Sequence, residues 1–219
     1  NYIWPGGLAH DLPPNFVNKT IEFLDYFEPQ IVEYNDLLTT NKIFIERSAD
    51  VGVMPKEVAI NYGVTGPSLR GSGISLDLRK TEPYSIYDKF DFDVPVGEGK
   101  MGTLGDCWDR YYVRVLEMKE SIKILRQALS QLPEGDVQAA LPKKIRPKKG
   151  EVYSRYETAR GDAGFYIRSD GKNIPTRLKM RSPAYCNLSV LNEISSGWMI
   201  SDVITVLGSL DIVLGEIDR

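Results

Sequence analysis

The strongest constraint on this chain is an apolar stripe between residues 105 and 132. Trp108, Tyr111, Val115, Met118, Ile122, Leu125, Leu129 and Leu132 follow one another at alternating steps of three and four. That spacing puts every one of them on the same face of a helix. Asp106 stands where an N-cap is needed, and Pro133 with Gly135 stops the helix. Such a face must be covered. A second stripe of the same kind, Leu24, Phe27, Ile31, Tyr34 and Leu38, lies upstream. Two readings follow: a coiled-coil dimer seam, or a long helix packed inside a bundle. The internal bundle is preferred because the partner stripe is in the same chain.

The upstream stripe predicts a helix over 16–40, capped by Asn15 and kinked or divided at Pro29. A short helix is expected from Pro55 to Tyr62, ended by Gly63. Residues 63–100 are rich in glycine and proline and predict a long folded loop, with extended pieces near Ser85–Tyr87 and Asp91–Val94. After a basic loop at 141–150, strands are expected near Val152–Thr158, Gly164–Ser169 and Thr176–Met180, the last two joined through Ser169-Asp170-Gly171-Lys172. Helices near Cys186–Ser195 and Gly197–Leu207 close the chain. The expected class is α+β and mainly helical, a long-helix bundle with a small antiparallel sheet. Its sections are 1–62 helical, 63–100 loop, 105–132 long helix, 151–182 sheet, and 186–219 helices and tail. With no initiating methionine, the 219 residues read as a piece of a longer protein.

Charge and chemistry exclude several classes. A net charge of −3 argues against wholesale nucleic-acid binding. The apolar run Trp198–Ile217 is broken by Asp202, Asp211 and Glu216, so it does not read as a membrane span. Cys107, Cys186 and a single histidine, His10, cannot form a four-ligand zinc or iron–sulfur site. The cysteines read as reduced core residues, and His10 as a surface-loop residue. The loop Gly63–Gly73 lacks the Gly-Lys-Ser/Thr ending of a phosphate loop. Its glycines read instead as points of close backbone approach, with Arg70 and Arg79 as structural ion-pair members. The cluster Lys143, Lys144, Arg146, Lys148 and Lys149 reads as a solvated insertion; contact with phosphate, acidic lipid or an acidic partner is the competing reading.

Ordered motifs over most of the chain resemble a known family. PGGLAHDLP, GVTGPSLRGSGISLDLRKTEPY, the stretch FDFDVPVGEGKMGTLGDCWDR leading into the long helix, GFYIRSDG, RLKMRSP and GSLDIVLGEIDR are similar to segments of the 49 kDa (D) subunit of respiratory complex I. That family is related to the large subunits of nickel–iron hydrogenases, whose C-terminal Asp-Pro-Cys-x-x-Cys holds metal. Here the cysteine places are Val213 and Glu216, which points to the metal-free branch.

The resemblance implies a hydrogenase large-subunit-like fold and the C-terminal part of one complex I subunit. It implies a role in electron transfer from NADH to quinone, with the fragment inactive alone. No cofactor is expected on this chain; quinone would bind at a subunit interface beside an iron–sulfur cluster of a partner. Implied partners are the small subunit carrying that terminal cluster, the 30 kDa (C) subunit and the membrane quinone-channel subunit. The implied location is peripheral, on the cytoplasmic face of the inner membrane. Val213, Leu214 and Gly215 would form a wall of the quinone pocket. Gly6, Gly7, Asp11 and Arg70 would be interface residues, and Glu216, Asp218 and Arg219 would orient the chain end or join a charged network. Trp4 stands where the family commonly has arginine. The alternative is a subunit of a hydrogenase-type or other-donor membrane-bound complex. A half-subunit would also expose broad apolar surface and oligomerise through it.

Overall fold

The computed structural model describes residues 2–142 and 144–218. Arg219 and Lys143, both named above, lie outside the described residues.

A two-residue hairpin opens the chain, β1 (Ile3–Trp4) against β2 (Gly7–Leu8). Helix α1 (Phe16–Tyr34) follows and is continued by a π-helical segment, Asn35–Thr39. Pro29 does not divide α1. The missing N–H costs one hydrogen bond, but Leu24 and Ile31 on either side of it are buried in the same core and keep the helix continuous. Asn15 precedes the helix in a left-handed conformation (φ 61°) and makes no capping hydrogen bond with its side chain. A capping side chain needs an extended backbone at that residue, which Asn15 lacks.

Helix α2 (Lys42–Ser48), unforeseen in the sequence, is capped by Asn41, whose Oδ1 accepts from Ile43 N at 2.9 Å. Helix α3 (Lys56–Asn61) ends at Gly63, φ +66°.

Residues 63–100 hold more helix than expected: α4 (Pro67–Gly71), α5 (Leu78–Thr81) and a 3-10 turn at Tyr87–Lys89. No strand forms near Ser85–Tyr87, where Ser85 is left-handed (φ 56°). Residues 91–94 also join no sheet. Their backbone is held by side chains of the long helix: Asp91 N donates to Gln127 Oε1 at 2.8 Å and Asp93 N to Glu120 Oε2 at 2.9 Å.

The long helix is α6 (Cys107–Ser130), capped by Asp106 Oδ1 accepting from Asp109 N at 2.8 Å. The two apolar stripes meet as expected. Leu24 and Ile31 of α1 pack on Val115 and Ile122 of α6, with Phe27, Tyr111, Met118 and Leu129 around them. Burying four such aliphatic side chains contributes about 6–12 kcal/mol before entropy is counted. Beyond the basic loop, whose described residues are exposed, comes the antiparallel sheet β3 (Gly150–Thr158), β4 (Gly161–Ser169) and β5 (Arg177–Arg181), in that order.

The helix expected near Cys186–Ser195 is two shorter ones, α7 (Pro183–Leu188) and α8 (Leu191–Ser195); the one expected near Gly197–Leu207 is α9 (Ile200–Leu210), and a further turn, α10 (Leu214–Ile217), follows in the tail. Ser182 caps α7 and Pro183 sits in its first turn, so the helix starts three residues before the apolar pattern does. A second core joins them to the middle of the chain, with Met54, Val64, Leu69, Val190, Val206 and Leu210 at its centre. Cys107 belongs to this core, whereas Cys186 is only half-buried. No described helix is long and apolar enough to cross a membrane. The observed class is α+β and mainly helical.

Candidate functional site

The most concentrated chemistry lies where α4, α6, the β3–β4 turn and the C-terminal tail converge. At its centre is Arg70, with a side chain only 2% exposed. Its Nε donates to Glu117 Oε1 at 2.6 Å, and its Nη1 to Glu157 Oε1 and to the Leu76 carbonyl, both at 2.9 Å. Asp77 stands 3.8 Å from the same Nη1 and is itself clasped by Arg79, Nη2 to Oδ2 at 2.6 Å. Burial works against the Arg70 charge, but Glu117 and Glu157 outweigh it and lift its pKa above the ordinary value. Burial also disfavours the Asp77 charge, yet the bond to Arg79 wins and its pKa falls. For Glu157 burial prevails over Arg70, and its pKa rises. The cluster is a satisfied charge network, not a proton-exchange dyad.

The glycines around Arg70 set how close its neighbours come. Gly66 is at φ +70°, and a Cβ there would lie 2.6 Å from Gly161 Cα and closer still to the Arg160 carbonyl. That contact brings the β3–β4 turn onto the start of α4. Asn187 ties the same joint: its Oδ1 accepts from Thr65 N at 3.0 Å and its Nδ2 donates to the Arg160 carbonyl at 3.1 Å.

The tail is fixed at two points. Asp211, left-handed at φ 53°, accepts from Arg160 Nη2 through Oδ1 at 3.1 Å. Glu216 Oε2 accepts from Ser182 Oγ at 2.9 Å and Ala184 N at 3.1 Å, so this carboxylate sits at the start of α7. Between the anchors Val213 is extended and half-buried, Leu214 is 75% exposed, and a side chain on Gly215 would touch nothing. Asp218 is exposed, its N–H closing α10 onto the Leu214 carbonyl. The tail thus presents an apolar turn outward from a polar footing.

Other residues singled out in the sequence lie elsewhere. Gly6 and Gly7 turn the β1–β2 hairpin, and their backbone packs on residues 137–141; Gly7 bridges Gln138. Asp11 is exposed and accepts from Leu12 N at 2.6 Å. His10 is exposed. Among the described residues no group of three or more His, Cys, Asp or Glu is placed to hold a metal ion. Sequence reasoning missed Arg114, Glu117, Glu157 and Arg160. The available signal was Arg110, Arg114 and Glu117 at steps of four and three, a charged stripe beside the apolar one.

Comparison with known proteins supplies what this geometry leaves open. The chain matches the family described as "Respiratory-chain NADH dehydrogenase, 49 Kd subunit" over residues 1–149 and 139–219. It is 53% identical to the D subunit of NADH-quinone oxidoreductase from Chlorobaculum tepidum over 223 residues, covering 100% of this chain and 56% of the relative. The corresponding protein of Chlorobium luteolum is also 53% identical, with the same coverage. That of Cytophaga hutchinsonii is 52% identical over 227 residues, covering 100% of this chain and 58% of the relative. The chain therefore spans a little over half the length of the curated relatives it matches. By this match over its full length, the chain belongs to the family of the 49 kDa subunit of respiratory-chain NADH dehydrogenase.

Proposed function

We propose that this chain is part of the 49 kDa (D) subunit of an NADH-quinone oxidoreductase, acting in electron transfer from NADH to quinone. Within that reading, residues 213–215 form one wall of the quinone pocket. The observation that carries this is the doubly anchored tail: Asp211 and Glu216 fix the turn while Leu214 stands exposed between them. An exposed apolar turn on a rigid footing suits the apolar part of a quinone.

The chain itself holds no cofactor in this reading. Its partners are the small subunit with the terminal iron–sulfur cluster, the 30 kDa subunit and the membrane quinone-channel subunit. Gly6, Gly7 and Asp11 would meet partners through the hairpin face, while Arg70 would hold the scaffold behind the pocket. The fold is read as hydrogenase large-subunit-like, with all five sections forming one domain. The complex would sit on the cytoplasmic face of the inner membrane, with this protein peripheral.

Val213→Trp in the assembled complex tests the pocket. It should lower NADH:quinone activity while NADH oxidation by a hydrophilic artificial acceptor is unchanged. Equal loss of both would remove the residue from the pocket.

A further inference from the structure

A cleft of about 490 Å³ opens between α1, α6 and the β3–β4 turn, apart from the exposed tail turn. One side is apolar. Phe23 and Phe27 stack at 5.6 Å on the α1 rim, and Met118, Ile122 and Leu125 line the α6 rim. Phe23 remains 55% exposed and Leu125 44% exposed, although Leu24 and Ile122 close to them on the same helices are buried. Arg114 also lines the cleft. Its Nη1 donates to the Arg110 carbonyl at 2.6 Å and its Nη2 to Ser68 Oγ at 3.3 Å. Its Nε is buried and has no hydrogen-bond acceptor among the described residues; Asp211 Oδ2 is 3.6 Å away.

Two packed helices with apolar residues at four- and seven-residue spacing on facing rims leave a trough shaped for a third helix. The curated relatives are almost twice as long as the stretch this chain matches. We infer that in the full-length protein a helix from the part outside these 219 residues lies in the α1–α6 trough and brings an acceptor, a carboxylate or a main-chain carbonyl, to Arg114 Nε. Burial of Arg114 without that acceptor lowers its pKa to about 10, even with Asp211 opposing the shift. The missing acceptor and the exposed rims thus mark the same place. This inference rests on the family membership and is independent of the quinone pocket.

The test places a photoreactive benzoylphenylalanine at Leu125 in the full-length protein within its native complex. Cross-links are mapped by mass spectrometry. The expected product joins position 125 to the same polypeptide, outside the 219 residues. A cross-link to another subunit or to a second copy of this chain would overturn the inference, as would none. As a check that does not depend on photochemistry, Leu125→Asp should reduce incorporation of the protein into the complex at least tenfold more than Lys119→Asp on the exposed face of α6. Equal incorporation would count against the trough. Neither readout uses quinone chemistry, so failure here leaves the proposed function standing, and the reverse also holds.

Discussion

The Arg70 guanidinium meets the Glu157 carboxylate at 2.9 Å, joining α4 to the first strand of the sheet across 87 positions of sequence. Glu117 on the long helix takes the adjacent nitrogen. One side chain therefore pins three elements that are distant in sequence.

Arg70→Met should destabilise the chain by about 3–5 kcal/mol, because it strands buried carboxylates rather than merely removing attraction. Arg70→Met combined with Glu117→Gln and Glu157→Gln should recover part of that loss. Urea midpoints of the single and triple variants measure the difference; a triple variant weaker than Arg70→Met would refute the account.

The pH dependence of this cluster has a definite sign for Asp77. Its pKa is depressed in the fold, so its contribution is present above the unfolded value of about 3.9 and is lost as pH falls through the lower folded value. Asp77→Asn should thus be less stable than the parent at neutral pH, with the gap closing below about pH 4. A gap constant from about pH 7 to about pH 3 would mean that Asp77 titrates alike in both states.

At the chain end, Glu216→Gln keeps the shape but removes the anion from the start of α7. A loss of about 0.5–2 kcal/mol is expected, concentrated locally. Hydrogen exchange should quicken in 213–218 and in the first turn of α7 while the α1–α6 pair is unaffected. Uniform quickening would show that the contact is not local.

Close approach at the α4 start predicts a backbone effect. Gly66→Ala must accommodate both a left-handed φ and a methyl against the Arg160 carbonyl. Its cost should exceed about 2 kcal/mol. Gly215→Ala, where the added methyl meets nothing, should change thermal stability little. Similar melting temperatures for the two would contradict the packing described.

Ile122→Ala tests the stripe that predicted the bundle. Ile122 is 4% exposed between α1 and α6. A loss of about 2–4 kcal/mol is expected by calorimetry, against little for Lys119→Ala on the exposed side.

The bundle was legible because its signal is periodic: each apolar stripe residue from Trp108 to Leu129 repeats the same message, and tolerance to one error is high. Strands β3, β4 and β5 were legible within a few residues, whereas the β1–β2 hairpin was not. Helices α4 and α5 were not, because four or five residues carry no period and these turns are held by Arg70, Asp77 and their distant partners. Asn15 looked like a cap by type, whereas Asn41 does the capping; residue type alone cannot reveal which backbone is left-handed. In the site, Arg70 stood out by its setting among glycines. Glu117 and Glu157 did not, since nothing local marks a carboxylate whose cation lies 47 or 87 positions away. The tail was noticed through family likeness, and its anchoring by Glu216 on Ser182 is a fact of three dimensions.

The shared cation has a genealogical consequence. Replacing Arg70 alone leaves three carboxylates beside one cation in a dry place, so a lineage can abandon the cluster only by changing several of these codons nearly together. Among distant members of the family these positions should be inherited as a block, present together or replaced together by apolar residues.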